Sequence, residues 1–180
     1  MIKVIGGKYR SRNLQTPSSG TEPTKNRVRE AMMSALTDLL PGAVVLDLFA
    51  GSGALGIEAL SRGASKAYFV DHEAEALSVI KENLTTLRET GGIVYGLDYQ
   101  AFLQRNDLPQ FDVVFLDPPY AAKQAYADAV KTILDRDLLR PYSAIVLEYE
   151  GGISVDLSSF AKCKEYTYGK TKVLIARKSL

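Results

Sequence analysis

Asp117-Pro118-Pro119-Tyr120 follows directly on the apolar run Val113-Val114-Phe115-Leu116, so four chemically distinctive residues leave the end of a buried strand. These types suit methyl transfer to a planar amino nitrogen. Such a nitrogen is a poor nucleophile because its lone pair is delocalised into the attached ring. The Asp117 carboxylate and the Pro118 carbonyl, held at a turn that Pro118 and Pro119 stiffen, can accept the two amine hydrogens as nitrogen becomes tetrahedral. Tyr120 offers a face on which a base can stack. An Asp before a proline also marks an ordinary strand-ending turn, so the tetrapeptide does not decide the matter alone.

A second constellation adds a nucleoside cofactor. The run Val44-Val45-Leu46-Asp47-Leu48-Phe49-Ala50-Gly51-Ser52-Gly53-Ala54-Leu55-Gly56 reads as strand, glycine turn and helix start, and Gly51, Gly53 and Gly56 satisfy G-x-G-x-x-G. Asp71 closes the next apolar run, Ala67 to Val70, at the spacing of an acid that binds ribose hydroxyls. Asp47, near the strand end, would meet a diphosphate unfavourably but could hold a cationic α-amino group. That favours S-adenosylmethionine over NAD. Asp47 could instead only stabilise its turn. Asp98, after Gly96-Leu97, could accept a hydrogen bond from an adenine amine or cap the helix that starts at Tyr99.

These groups need a scaffold, and the hydrophobic pattern supplies one. Residues 2–16 alternate weakly around Gly6-Gly7, as a strand or hairpin carrying Lys8, Arg10 and Arg12 would. Thr24 could cap a helix with Val28, Met32, Ala35, Leu36 and Leu39 on one face, ended by Pro41-Gly42. Strands at 43–49, 66–71, 93–96 and 111–117 alternate with helices at 54–62 and 73–89, from Tyr99, and within 124–138. Such alternation predicts an α/β fold with a doubly wound, mostly parallel sheet. Strands at 143–150, 162–168 and 171–177 close the chain. Too little sequence separates the last two for a crossover helix, so they must form an antiparallel hairpin around Gly169-Lys170. In an open sheet of this kind the Asp47–Gly53 and Asp117–Tyr120 turns converge at the carboxyl ends of the strands.

Composition narrows the class. The chain has 180 residues, 46% of them hydrophobic, which suits one domain. The first thirty residues hold seven Lys and Arg against two Glu, and the remainder fifteen against nineteen acids. A basic arm at 1–23 before a mildly acidic core at 24–180 suits a polyanionic substrate, although a solvated basic face without a partner has the same composition. The single histidine, His72, allows neither a histidine metal cluster nor a histidine-based triad, so no metal is expected. The single cysteine, Cys163, is expected as a small buried residue. Neither a signal-like segment nor an apolar run of spanning length is visible, and a cytoplasmic protein is expected.

The motifs together resemble those of a class I S-adenosylmethionine-dependent methyltransferase, and more narrowly the RsmD family of bacterial 16S rRNA guanine-N2 methyltransferases. The resemblance runs over nearly the whole chain. It rests on Ile5-Gly6-Gly7-Lys8-Tyr9-Arg10-Ser11-Arg12, Pro23-Thr24-Lys25-Asn26-Arg27-Val28-Arg29-Glu30, Leu46 to Gly53, Asp117 to Tyr120, and Tyr168-Gly169-Lys170-Thr171. Two departures stand out: Glu22 replaces a usual arginine, and Asp71 an often-found glutamate. The resemblance implies a seven-stranded sheet with its last strand antiparallel and a Rossmann-like cofactor site. Asp47 would contact the methionine amino group, Phe49, Gly51 and Gly53 would lie against the cofactor, and Asp71 and Asp98 would bind its ribose and adenine. Thr24 and Arg27 are candidates for its carboxylate. Asp117, Pro118, Pro119 and Tyr120 would receive a flipped guanine, and Lys8, Arg10 and Arg12 would meet RNA. The expected partner is 16S rRNA, within a small-subunit particle, and the protein a monomer. Methyl transfer to adenine in DNA or RNA or to a protein glutamine, nicotinamide chemistry, and a non-catalytic RNA-binding role are the alternatives.

Overall fold

The computed structural model describes residues 1–17 and 23–180, the side chains of Pro23 and Thr24 excepted. Strand β1 (Ile2–Lys3) pairs antiparallel with β2 (Asn13–Leu14) around one 3-10 turn at Gly7–Tyr9. The expected hairpin is therefore shorter than its alternation suggests. Lys8 lies on the turn, and Arg10 and Arg12 lie in the connection to β2. Helix α1 (Pro23–Ala35) follows. Pro23 occupies its first position, where a missing N–H is harmless, so Thr24 falls inside the first turn and does not precede the helix as a cap. Glu22 lies outside the described residues.

Then come β3 (Val44–Asp47), α2 (Ala54–Ser61), β4 (Lys66–Asp71), α3 (Ala74–Leu87), β5 (Gly92–Gly96), α4 (Tyr99–Leu103), β6 (Phe111–Leu116) and α5 (Gln124–Asp135). β7 (Leu139–Glu150), β8 (Lys162–Tyr168) and β9 (Thr171–Arg177) complete the chain. The seven-stranded sheet has the order β5-β4-β3-β6-β7-β9-β8. β5, β4, β3, β6 and β7 are parallel, while β9 runs antiparallel to both β7 and β8. The fold expected from the sequence is present. One boundary differs: β7 begins at Leu139, four residues before the expected Ser143. Leu139 pairs with Phe111, but regular pairing resumes only at Ala144 with Val113, and Tyr142 has φ +62° in the irregular stretch.

Both faces of the sheet are covered. Val28, Met32 and Met33 of α1, Ile57 and Leu60 of α2, and Ile80, Leu84 and Leu87 of α3 pack with Val45, Phe69, Val113, Phe115 and Val146. Phe102 and Leu103 of α4 and Tyr126, Ala129, Val130 and Ile133 of α5 pack with Leu46, Val114, Ile145 and Leu147. Consecutive strand residues thus serve opposite cores, as the two-residue period of a strand requires. α2 is pressed against the sheet: a Cβ on Gly56 would lie 2.4 Å from Phe69 Cε1.

Two buried polar side chains tie the N-terminal segment to this layer. Glu58 of α2, 1% exposed, accepts hydrogen bonds from Ile5 N (2.8 Å) and Gly6 N (3.0 Å) and pairs with Arg29 Nε (3.3 Å) and Arg62 Nε (3.2 Å). Asn83 of α3 accepts from Gln15 N (2.7 Å), and its amide donates to Gln15 O (3.0 Å) and Ser52 O (3.1 Å). Cys163, expected inside, is exposed on β8, the edge strand, where one face has no covering layer. Among the described residues no helix is long and apolar enough to cross a membrane.

Candidate active site

A cleft of about 820 Å³ opens at the carboxyl ends of the parallel strands. Of the residues singled out in the sequence, Phe49, Gly51, Asp71, Asp98, Asp117, Pro118, Pro119 and Tyr120 line it. The glycine turn and the proline turn therefore share one cavity. They leave neighbouring parallel strands, β3 and β6, where the strand order reverses.

The glycine turn is held from three sides. Gly53, at φ +79°, precedes α2 in a left-handed conformation that disfavours any side chain. Gly51 N donates to Asp71 Oδ2 (2.9 Å), and the other Asp71 oxygen accepts from Glu73 N (2.9 Å). Asp47 is 2% exposed and accepts from Gly56 N (3.0 Å) through Oδ2. It therefore sits behind the loop and does not line the cleft. Burial, followed by repulsion from Asp117 and Asp71, lifts its carboxyl to about 8.

At the other end of the cleft, Asp98 caps α4 by accepting from Ala101 N (2.7 Å) through Oδ1. Phe49 and Tyr99, with ring centroids 5.2 Å apart, line the cleft together and give it an apolar wall. Tyr120 is 75% exposed, with Lys123 Nζ 5.2 Å from its ring centroid. Asp117 faces the cleft with no hydrogen-bond partner among the described residues. Protein crowding around it raises its carboxyl, and Lys25 opposes the rise.

Other residues belong to this site although the sequence reading passed over them. Lys25 and Arg29 of α1 line the cleft, whereas Arg27 is exposed and does not. Residues 25 and 29 are four apart and share a helix face, while residue 27 is turned some 200° from the first of them. Arg29 also donates to Lys3 O (2.6 Å), and burial holds its pKa below the ordinary value. Glu148 lines the cleft too. Its signal was available: Ile145-Val146-Leu147-Glu148 ends an apolar run in an acid, as the runs before Asp47, Asp71 and Asp117 do. Leu116 pairs with Leu147 in the parallel register, so Asp117 and Glu148 emerge side by side on the same face.

The basic arm lies elsewhere. Lys8 Nζ pairs with Glu89 Oε1 (3.0 Å), and Arg12 Nη2 donates to Thr86 O (3.2 Å) at the end of α3. Arg10 is exposed on the turn after Tyr9. None of the three lines the cleft.

Comparison with known proteins agrees with this architecture. The family described as Conserved hypothetical protein 95 matches residues 2–177. Ribosomal RNA small subunit methyltransferase D of Escherichia coli K12 is 35% identical over 150 residues, which is 83% of this chain and 75% of that protein. The solved Escherichia coli protein yhhF superposes with a TM-score of 0.88 at 30% identity, covering 99% of this chain and 98% of that one. A Thermus thermophilus 16S rRNA N2 G1207 methyltransferase, solved with AdoMet and guanosine, shares the fold at a TM-score of 0.71 and 21% identity, covering 89% of this chain and 44% of that one. The chain belongs to the Conserved hypothetical protein 95 family, the RsmD family that its motifs resemble.

Proposed function

We propose that this protein is an S-adenosylmethionine-dependent methyltransferase that methylates the exocyclic N2 of a guanine in 16S rRNA. The observation that carries the reading is the convergence of the Asp47–Gly53 loop and the Asp117–Tyr120 turn in one cleft. The family membership supports it, and so does the small-subunit rRNA methyltransferase among the relatives.

The cleft suits the methyl donor. Its volume accommodates a nucleoside with an amino-acid tail, and Asp71 and Asp98 keep lone pairs for ribose and adenine beside the Phe49–Tyr99 wall. Asp47, from behind the loop, would serve the ammonium group, whose charge draws the buried carboxyl toward its ionised form, and Lys25, which lines the cleft, is better placed than Arg27 for the carboxylate. When bound, S-adenosylmethionine supplies an electrophilic methyl group on a sulfonium.

The chain's own groups do the rest. Asp117 and the Pro118 carbonyl orient the amine so that its lone pair lies in line with the methyl carbon, and much of the rate comes from that alignment. As the new N–C bond forms and the C–S bond breaks, positive charge develops on nitrogen, and Asp117 stabilises it and takes the proton. Tyr120, exposed at the rim, stacks on a base flipped out of the RNA. Lys8, Arg10 and Arg12 remain candidates for phosphate contact, with Arg10 the most available. The rRNA is met within a small-subunit particle, by one copy of the protein acting as a single unit in the cytoplasm.

The test is transfer of labelled methyl from S-adenosylmethionine to 16S rRNA and to small-subunit particles, with mass spectrometry of the nucleosides. N2-methylguanosine is expected. Asp117→Asn should lower turnover by about 10²-fold or more while leaving donor affinity within about threefold, since Asp117 belongs to the acceptor side. Label on adenine, or turnover unaffected by Asp117→Asn, would refute the assignment.

A further inference from the structure

Two carboxylates stand side by side in the cleft, and the reaction above uses one. Glu148 leaves β7 next to Asp117 on β6, lines the same cavity, and is one methylene longer. Among the described residues no donor is hydrogen-bonded to its carboxylate. The groups around it are Lys25 and Arg29 from α1, Asp117 from β6 and Glu150 further along its own strand. From α5, the Tyr126 hydroxyl donates to the Glu148 main-chain carbonyl (2.5 Å), fixing the backbone and leaving the carboxylate unengaged. On β9 its register partner is Val173, which offers nothing polar.

We propose that Glu148 is a specificity-determining residue that accepts the N1–H of the target guanine beside the amine held by Asp117. The inference rests on the methyl-transfer reading above and adds the choice of base. Guanine presents N1–H and its N2 amine as adjacent donors on one edge. Adenine sets a lone pair, N1, beside its amine. Two acceptors at neighbouring strand ends, about 4.8 Å apart at the backbone, match the first edge and oppose the second. A polar site built for a donor rejects a base that lacks it, because the site's own group is then left unpaired.

Protonation provides a second handle. Burial, and then the Asp117 charge, raises the Glu148 carboxyl to about 8, with Lys25 and Arg29 opposing. Below that pH a neutral carboxyl can donate to a lone pair and so tolerates the wrong edge. Above it only acceptors remain, and discrimination sharpens.

The experiment compares acceptor RNAs carrying guanine or 2-aminopurine at the position identified from the wild-type product. 2-Aminopurine keeps the exocyclic amine but has a lone pair at N1. Wild type should favour guanine by about 10- to 100-fold in kcat/KM, the range of one hydrogen bond to a charged group, and the preference should rise between about pH 6.5 and pH 8.5. Glu148→Met should reduce it to about threefold or less. Glu148→Gln, which still accepts but cannot titrate, should keep part of the preference and lose its pH dependence. A wild-type preference near unity, or a preference and pH dependence unchanged in the variants, overturns the proposal. Failure of the wild type to methylate guanine at all is a different result and removes the underlying reading as well.

Discussion

Asp47→Asn should stabilise the protein and weaken its hold on the methyl donor. Asn is isosteric and keeps an oxygen for Gly56 N–H, so the substitution isolates the charge. The folded-state pKa of Asp47 is about 8, against about 3.9 in an unfolded chain. A carboxyl whose pKa is raised on folding favours the native state only while protonated. Its contribution is complete below the unfolded value and is lost as pH rises toward the folded one. Each unit is worth about 1.4 kcal/mol, and relaxation around a buried charge reduces the full sum severalfold. Between about pH 5.5 and pH 8, Asp47→Asn should therefore gain about 1–1.5 kcal/mol over wild type, or about 2–6 °C in Tm for a chain of this size. Thermal melts followed by circular dichroism at the two pH values measure the gap, and calorimetry with S-adenosylmethionine should show weaker binding by the variant. A gap that is the same at both pH values, or a variant less stable than wild type at the higher one, would show that Asp47 is not a strained anion.

Three further substitutions test the scaffold, the last of them as a control. Glu58→Gln leaves Arg29 buried without its counter-ion and should cost about 3–5 kcal/mol in urea unfolding; a loss below about 1 kcal/mol would mean that the N-terminal segment is not anchored there. Gly56→Ala forces a Cβ to 2.4 Å from Phe69 Cε1 and should cost about 1–3 kcal/mol. Gly152→Ala, with no heavy atom within 4 Å of its added Cβ, should change stability by less than about 0.5 kcal/mol.

The strand–helix alternation was readable because its signals are local. Val44–Leu46 and Val113–Leu116 are apolar throughout, and Gly53 marks the start of α2 by a backbone conformation that only glycine adopts easily. The hairpin of β8 and β9 followed from chain length alone. Position around a helix axis was harder to read. Arg27 looked as suitable as Lys25 in a segment with three cations in five residues, and only the packing of Val28 and Met32 against the sheet decides which face meets the cleft. Glu148 carries the local signal of an acid ending an apolar run, but its place beside Asp117 comes from the register of β7 with β6, a pairing between residues far apart in sequence. The basic arm illustrates the same limit: charge marks it as a unit, but not that Lys8 and Arg12 already answer Glu89 and the end of α3.

Asn83 reaches two chain segments with a single amide, and its effect depends on which of its atoms carry hydrogen. Both of its amide donor contacts are to carbonyl oxygens, Gln15 O and Ser52 O. Hydrolysis of that amide to aspartate, the usual ageing of asparagine, would set an oxygen against two oxygens at a site that is 2% exposed. The damage would open the glycine loop before it disturbed the sheet. Old or heated enzyme should lose its grip on small ligands while still appearing folded.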